Sequence, residues 1–269
     1  MKLLNGKELA GFIQQRQVHQ VRALRQAHGI APKLAIIRTN PDPVVDSYMK
    51  IKQSYGDDIS VDVDVHTIDQ SEALTRIKEL NTDPSVHGII VQIPLPDPTQ
   101  TTEILNTVTP AKDVDGLNEQ TIYDAPTPLA INWLLAGYNV ELRGKNITVV
   151  GHGRLVGQPL VKLWQQSELE VNIVDKSVEN LGDMTREADI LVTATGVAGL
   201  ITADMVKPNA VIVDAGVATD SNGLIGDVAQ DVRELPDITI TPEKGGVGPL
   251  TVCALFENVI RAAQPTIQT

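Results

Sequence analysis

Tyr48 and Lys52 stand four residues apart in the run Asp46-Ser-Tyr-Met-Lys-Ile-Lys-Gln-Ser-Tyr55. On a helix that spacing puts both side chains on one face, one turn apart, while Lys50 points elsewhere. A tyrosine offers a flat apolar surface with a polar tip, and a lysine beside it in a partly desolvated site has its pKa drawn down toward neutrality, where it can move protons. Taken alone, the pair is more often part of an ordinary solvated helix surface. Gln92 and Asp115 weigh against that reading, because each follows a segment that would place it at the C-terminal edge of a parallel sheet, where open α/β sheets bind ligands. Three chain segments then converge, one of them carrying the lysine.

A second constellation has the marks of nucleotide binding. Directly after the apolar run Ile147-Thr-Val-Val150 stands Gly151-His152-Gly153-Arg154-Leu-Val-Gly157-Gln-Pro159, with its third glycine one place later than in the common G-x-G-x-x-G fingerprint. Gly151 allows a tight turn, Gly153 lets backbone approach a pyrophosphate, and the following helix aims its N-terminal N–H groups at that anion. Pro159 suits a first helical turn, whose N–H lacks a partner in any case. A glycine-rich βα turn that binds nothing is the alternative; the position between strand and helix, inside a run of βα units, favours a dinucleotide. Asp175 ends the next strand, near the ~20-residue offset at which an acidic group hydrogen-bonds the adenosine ribose of NAD. It would repel the 2′-phosphate of NADP, whereas Arg154 and Lys176 could neutralise one, and all three could also be solvated surface. NAD is favoured slightly over NADP.

The elements that must position these residues are legible as alternating patterns. Apolar residues at Leu9, Phe12, Ile13, Val21 and Leu24 predict an opening helix that runs to His28 and stops at Gly29. Leu34-Ala-Ile-Ile37 predicts a strand, followed by the turn Asn40-Pro-Asp-Pro43 and a helix through about Tyr55, closed by Gly56. The unit repeats with strand Val61 to Val65, a helix from about Ser71 to Leu80, and strand Gly88-Ile-Ile-Val91 leading into Gln92-Ile-Pro-Leu-Pro96. Continuous apolar strands predict a parallel sheet covered on both faces. Asp113-Val-Asp-Gly116 and the polar stretch to Pro128 read as a connection, and Ile131 to Leu135 begins a linking helix. A second alternation follows, with strands at 147–150, 171–174, 190–193, 211–214 and about 238–241, the pattern of a doubly wound nucleotide-binding sheet. Pro249 to Ala263 reads as a closing helix. The fold class is therefore α/β, with two α/β domains, the second a Rossmann-like doubly wound parallel sheet.

The bulk properties narrow the partners. A chain of 269 residues suits two domains of ordinary size. A net charge of −12 sets up a field that repels nucleic acid and anionic lipid, which leaves small-molecule chemistry. No apolar run reaches the ~20 residues of a membrane span, and the opening Met1-Lys-Leu-Leu-Asn-Gly-Lys7 lacks a signal-peptide core, so a cytoplasmic location is expected. Cys253, the single cysteine, lies in an apolar context and reads as core. His19, His28, His66, His87 and His152 are scattered without ligand spacing, so no metal site is expected.

Taken together, Tyr48-x-x-x-Lys52, Val91-Gln-Ile-Pro-Leu-Pro96, Lys112-Asp-Val-Asp-Gly116, the Gly151–Pro159 turn, Gly226-Asp-Val228 and Gly245-Gly-Val-Gly-Pro-Leu-Thr251 resemble the bifunctional methylenetetrahydrofolate dehydrogenase/methenyltetrahydrofolate cyclohydrolase (FolD) family, in order and nearly end to end. That resemblance implies oxidation of 5,10-methylenetetrahydrofolate to the methenyl form by NAD(P)+ and hydrolysis of the latter to 10-formyltetrahydrofolate, in the one-carbon metabolism that feeds purine biosynthesis. It implies a homodimer, with residues 1–118 as the catalytic domain, residues 119–248 as the NAD(P)-binding domain, the helix of about 249–269 packing back on the first, and a folate cleft between the two. By that similarity Lys52 is the central catalytic group, Gln92 positions it, Tyr48 stacks on the folate and Asp115 holds the pterin. Gly245, Gly246 and Pro249 would border the folate, and the backbone near Val217 would face the nicotinamide.

The sequence departs from the family's usual pattern at several places. Gly153 stands where serine is usual and His152 where arginine is frequent; Val174-Asp-Lys-Ser177 replaces a Cys-His-Ser-Arg-like stretch. Both changes fall on the phosphate side of the cofactor. The segment after Gly116 is short, Ala125-Pro-Thr-Pro-Leu-Ala130 replaces Pro-Cys-Thr-Pro-x-Gly, and Lys244 replaces a proline, all at the rim of the implied folate cleft. A dehydrogenase with weak cyclohydrolase activity, or a nucleotide-binding sensor of the same fold, are the competing readings. The retained Tyr48, Lys52, Gln92 and Asp115 argue against the sensor, which needs no proton-transfer lysine.

Overall fold

The computed structural model describes residues 1–178, 180–220 and 223–265. The chain opens with β1 (Lys2–Leu3) and α1 (Gly6–His28). It divides into two compact units, one of Met1–Ala10 with Thr127–Thr251, the other of Gly11–Pro126 with the residues from Val252 onward.

The unit that carries Lys52 is built on three parallel strands, β2 (Lys33–Arg38), β3 (Asp62–Thr67) and β4 (Gly88–Val91), in the order β3-β2-β4. They alternate with α2 (Pro43–Ile59), α3 (Ala73–Thr82) and α4 (Thr101–Thr107). Alternate residues of the strands feed two cores: Leu34, Ile36 and Ile90 pack with Val45, Met49, Val114 and Phe256, while Ala35, Ile37, Ile89 and Val91 pack with Ile77, Leu80 and Ile104. Burial on both faces explains why β2 and β4 read as unbroken apolar runs. Helix α1 ends at Gly29, which at φ +66° donates its N–H to the Arg25 carbonyl, as a left-handed cap should. Gly56 behaves otherwise than the sequence reading expected. It lies inside α2, which runs one turn further to Ile59, and a Cβ there would sit 2.8 Å from the Val61 carbonyl oxygen. The missing side chain allows close helix–strand approach, and Ser60 at φ +64° takes the terminating position instead.

In the other unit α5 (Pro126–Gly137), which starts about a turn before the predicted Ile131, precedes β5 (Ile147–Val150), α6 (Gly157–Gln166), β6 (Val171–Val174), α7 (Leu181–Arg186), β7 (Ile190–Thr193) and β8 (Val211–Asp214). A hairpin of β9 (Ala218–Asp220) and β10 (Gly223–Ile225) follows, then β11 (Thr239–Ile240) and α8 (Val247–Ala263), whose residues from Val252 on belong to the Lys52 unit. The large sheet is parallel throughout, in the order β1-β11-β8-β7-β5-β6. Winding outward in both directions from β5 creates a topological switch point between β5 and β7, where such sheets bind ligands beyond their C-terminal ends. Strand β1 is too short to carry a pattern, yet it pairs Lys2 with Thr239 and Leu3 with Ile240. The chain start is thereby held on this sheet. Gly6 keeps it there, since a Cβ at that position would overlap the Gly246 carbonyl. Among the described residues no helix is long and apolar enough to cross a membrane.

Candidate active site

Lys52 lies on the buried stripe of α2. Val45, Met49, Gly56 and Ile59, at alternating spacings of four and three around it, are all buried. A helix position of that phase normally takes an aliphatic side chain. Gln92 follows β4 directly and extends its ladder by donating its N–H to the Ile37 carbonyl at 2.9 Å. Two residues beyond Ile90, it emerges on the same sheet face, the one covered by α2. The two meet there: Lys52 Nζ donates to Gln92 Oε1 at 3.0 Å, and Gln92 Nε2 donates to its neighbour's carbonyl, Ile93 O, at 3.1 Å. The second bond fixes the amide with its oxygen toward the lysine. Burial holds the Lys52 ammonium below its ordinary pKa, with the charge of Asp115 acting in the opposite direction. Burial likewise pushes Asp115 up to about 6; Lys52 opposes that rise and Asp113 reinforces it.

The placement of Asp115 follows from its neighbours in Lys112-Asp-Val-Asp-Gly116. Lys112 Nζ donates to the carbonyls of Leu80 and Asp83 at 2.9 and 2.6 Å, a cation on the C-terminal carbonyls of α3. Asp113 is buried, and its carboxylate accepts the Asn118 N–H at 2.9 Å. Val114 enters the core, and its carbonyl is held by Asn258 Nδ2 of α8, which also donates to Asp124 O, both at 2.9 Å. Gly116, at φ +69°, lies so close to Ala125 that a Cβ would be 2.9 Å from that residue's Cα. Four of the five residues therefore serve the turn, and Asp115 is the one left to act. Tyr48, half-buried one turn before Lys52, has its hydroxyl pKa raised by burial.

Sequence reasoning overlooked Arg38, Asp46 and Asn258. Arg38 ends β2 on the same face as Gln92, is almost fully buried, and forms an ion pair with Asp46 in the first turn of α2. The signal was a charge closing an apolar strand. Asn258 is a buried polar residue inside an apolar helix. Its pattern is that of any helix interior, so no signal pointed to it.

The glycine turn lies at the switch point of the other unit. Gly151 has φ +97°, and a Cβ on it would be 2.5 Å from the Ala194 carbonyl oxygen, at the end of the neighbouring β7. Gly157, the first residue of α6, would place a Cβ 1.9 Å from Gly151 O. Those two glycines are required by the turn itself. Gly153 meets nothing within 4 Å, so its bare backbone leaves open space before the α6 N-terminus, whose N-cap Val156 offers no side-chain acceptor. A diphosphate fits such a cradle. His152 and Arg154 are exposed on the same loop, and Lys176 is exposed just past β6. The Asp175 carboxylate accepts the Ser177 hydroxyl at 2.6 Å and the Ser177 N–H at 2.9 Å, which with the charge of His152 holds it below the ordinary carboxylate range. Val217, after β8, is 52% exposed. Gly245, Gly246 and Pro249 also belong to this unit: Gly245 O accepts the Lys7 N–H at 2.9 Å, Gly246 is buried against Thr241, and Pro249 falls in the first turn of α8. The structure thus gathers Lys52, Gln92, Asp115 and Tyr48 in one unit and the cofactor-type residues in the other.

Comparison with known proteins agrees with both halves. Residues 4–115 match the catalytic domain of the tetrahydrofolate dehydrogenase/cyclohydrolase family, and residues 125–267 match its NAD(P)-binding domain. The chain is 38% identical to the bifunctional protein FolD of Staphylococcus epidermidis over 97% of its own length and 96% of the relative's. It superposes on the bifunctional FolD methylenetetrahydrofolate dehydrogenase/cyclohydrolase of Campylobacter jejuni with a TM-score of 0.92, at 32% identity and 98% coverage of each chain. The Trypanosoma brucei methylenetetrahydrofolate dehydrogenase-cyclohydrolase, solved with NADP and an inhibitor, gives a TM-score of 0.92 at 26% identity, over 99% of this chain and 98% of that one. With a desolvated lysine on an amide in one unit and an open glycine cradle in the other, matched from end to end, this chain belongs to the tetrahydrofolate dehydrogenase/cyclohydrolase family.

Proposed function

We propose that the chain oxidises 5,10-methylenetetrahydrofolate to the 5,10-methenyl cation with NAD(P)+ and hydrolyses that cation to 10-formyltetrahydrofolate, with Lys52 as the proton-transfer group of the second step. The observation that carries this reading is the 3.0 Å hydrogen bond between Gln92 Oε1 and a lysine set among buried apolar residues. When bound, the nicotinamide accepts the hydride that leaves the one-carbon bridge. Hydride loss needs no strong base, so the task of this chain's residues in that step is alignment. Asp115, a carboxylate above pH about 6, accepts hydrogen bonds from the amino and ring N–H groups of the pterin. Tyr48 supplies a flat face for stacking.

In the hydrolytic step water adds to the cationic carbon, its surplus proton departs, and a carbon–nitrogen bond opens as the ring nitrogen gains a proton. A lysine held below its ordinary pKa can take the first proton and return it, and the positive charge of the substrate disfavours its ammonium form further. Gln92 keeps Nζ on one line of approach.

The Gly151–Gly157 turn with His152 and Arg154 holds the diphosphate in this reading, and Asp175 with Lys176 meets the adenosine ribose. Asp175 carries a full charge at neutral pH, which favours NAD over NADP. The active form is a cytoplasmic homodimer. Initial rates with NAD and with NADP on methylenetetrahydrofolate, followed by loss of the methenyl absorbance, test the assignment. Reduction of neither coenzyme would replace it with the sensor reading.

A further inference from the structure

The motif Gly226-Asp-Val228 is not used by the reaction as derived above, yet Asp227 is fully buried and its carboxylate is spent on backbone. Oδ2 accepts the Thr195 N–H at 2.7 Å and Oδ1 accepts the Val197 N–H at 3.0 Å. These two donors belong to the loop that leaves β7 at the switch point. The backbone of Asp227 is itself anchored, because Asp214 Oδ1 accepts the Asp227 N–H and Asp214 Oδ2 the Val228 N–H, both at 3.1 Å. Asp214 also accepts the Gly216 N–H at 3.2 Å, and Arg233 lies 3.6 Å from its Oδ2. The two carboxylates therefore tie together the loops after β7 and β8. Two glycines make room for them: a Cβ on Gly216 would lie 2.0 Å from Asp227 Oδ1, and one on Gly226 would lie 2.0 Å from Asp214 Oδ2.

Removing a carboxylate from water is expensive, and neutral acceptors could have met the same two backbone N–H groups without burying a charge. What Asp227 adds is a fixed rim. The loops it holds present Val197 and Val217 to solvent, 50% and 52% exposed, and they lie together, since a Cβ on Gly196 would be 3.2 Å from Val217 O. Leu155 of the glycine turn is 46% exposed beyond β5. Three exposed aliphatic side chains thus stand on the three loops that crown β5, β7 and β8, an arrangement that folding leaves unexplained and that suits the face of a flat heteroaromatic ring.

We propose that Asp227 is a positioning residue for the nicotinamide ring of the dinucleotide, fixing the loop of residues 195–197 so that Val197 walls the ring opposite the Val217 segment. This rests on the proposed dehydrogenase function. Asp227→Asn keeps the shape but turns an amide NH2 toward one of the two backbone donors, so one hydrogen bond becomes a repulsion. Val197→Ser removes the wall from an exposed position without touching the core. Michaelis constants for NAD and NADP, and the cyclohydrolase rate on methenyltetrahydrofolate, which consumes no nicotinamide, are measured for the parent and both variants. The expected result is a Michaelis constant for the preferred coenzyme raised at least tenfold in Asp227→Asn and severalfold in Val197→Ser, with cyclohydrolase within twofold of the parent. Coenzyme constants unchanged within twofold in Val197→Ser would overturn the proposal, as would unchanged constants in Asp227→Asn. If Asp227→Asn loses cyclohydrolase as well, its fold has failed and Val197→Ser alone decides. A parent that reduces neither coenzyme sinks the dehydrogenase reading instead.

Discussion

Replacing Lys52 by methionine removes the ammonium while preserving an unbranched side chain on the buried stripe of Val45, Met49 and Ile59. Two effects on stability oppose each other. Gln92 Oε1 loses its donor, at a cost of about 1–3 kcal/mol. The desolvation that holds the lysine pKa down disappears, which acts in the opposite direction. The melting temperature of Lys52→Met should therefore stay within about 4 °C of the parent. Catalysis is affected unequally. A positioned acid–base group contributes about 10²–10⁴-fold, so the cyclohydrolase rate should fall by about 10³, equivalent to about 4 kcal/mol in the barrier. Hydride transfer moves no proton through Lys52, so the dehydrogenase rate, read from coenzyme reduction, should fall by about tenfold or less through lost alignment. Stopped-flow decay of methenyltetrahydrofolate and initial rates of coenzyme reduction on the same preparation separate the two. A hydrolysis rate within threefold of the parent refutes proton transfer by Lys52, and equal losses in both reactions make it a binding group only.

Asp115→Asn tests the buried carboxylate. Because the folded-state pKa is raised to about 6, the stabilising contribution of the proton is complete below the unfolded value and is lost as pH rises through about 6. A rise of that size is worth on the order of 1–3 kcal/mol, so the variant should melt at least about 2 °C above the parent at pH 7.5, with the gap narrowing at pH 4.5 as pH falls toward the unfolded value. Equal melting temperatures at both pH values would show that Asp115 is not destabilising. In the parent, protonation of Asp115 below pH about 6 should raise the Michaelis constant for methylenetetrahydrofolate, and a flat constant from pH 7.5 to 5 would refute its role on the pterin. Asp175→Ser should shift preference toward NADP, while a strong NADP preference already present in the parent would contradict the assignment of Asp175. Gly151→Ala forces a Cβ to 2.5 Å from Ala194 O at φ +97° and should lower the melting temperature by about 4 °C or more, whereas Gly153→Ser, in open space, should leave it unchanged.

The legible part of the fold was the part written in period and punctuation. Strands β2, β4, β5, β7 and β8 are buried on both faces and announce themselves as apolar runs, and Gly29 ends α1 as its position promised. Gly56 deceived because sequence does not distinguish a glycine that stops a helix from one that lets a strand approach it. Strand β1 holds two residues, and its membership in the larger sheet depends on pairing with β11, more than 230 residues away. Such long-range pairing leaves no local trace. At the site, Tyr48 and Lys52 were singled out by their i, i+4 spacing, and Gln92 and Asp115 by following segments expected to end at the C-terminal edge of a sheet.

Several residues to which the sequence assigned no task share a different trait: they satisfy backbone. Asn258, Asp113, Asp214 and Asp227 each hand their polar atoms to main-chain groups, the first two in the turn that carries Asp115 and the other two in the loops beyond β7 and β8. Buried backbone donors and acceptors in irregular segments have no ladder to join, and each one left unpaired costs about 1–3 kcal/mol. A loop that must be both irregular and rigid therefore recruits side chains from elsewhere in the chain, and only the folded arrangement reveals which. This accounts for the two aspartates of Lys112-Asp-Val-Asp-Gly116, identical in type and two residues apart. Asp113 is committed to the Asn118 N–H, while Asp115 is held beside Lys52 in partial desolvation, its charge expensive enough to respond near pH 6. The first secures the turn that holds the second beside Lys52.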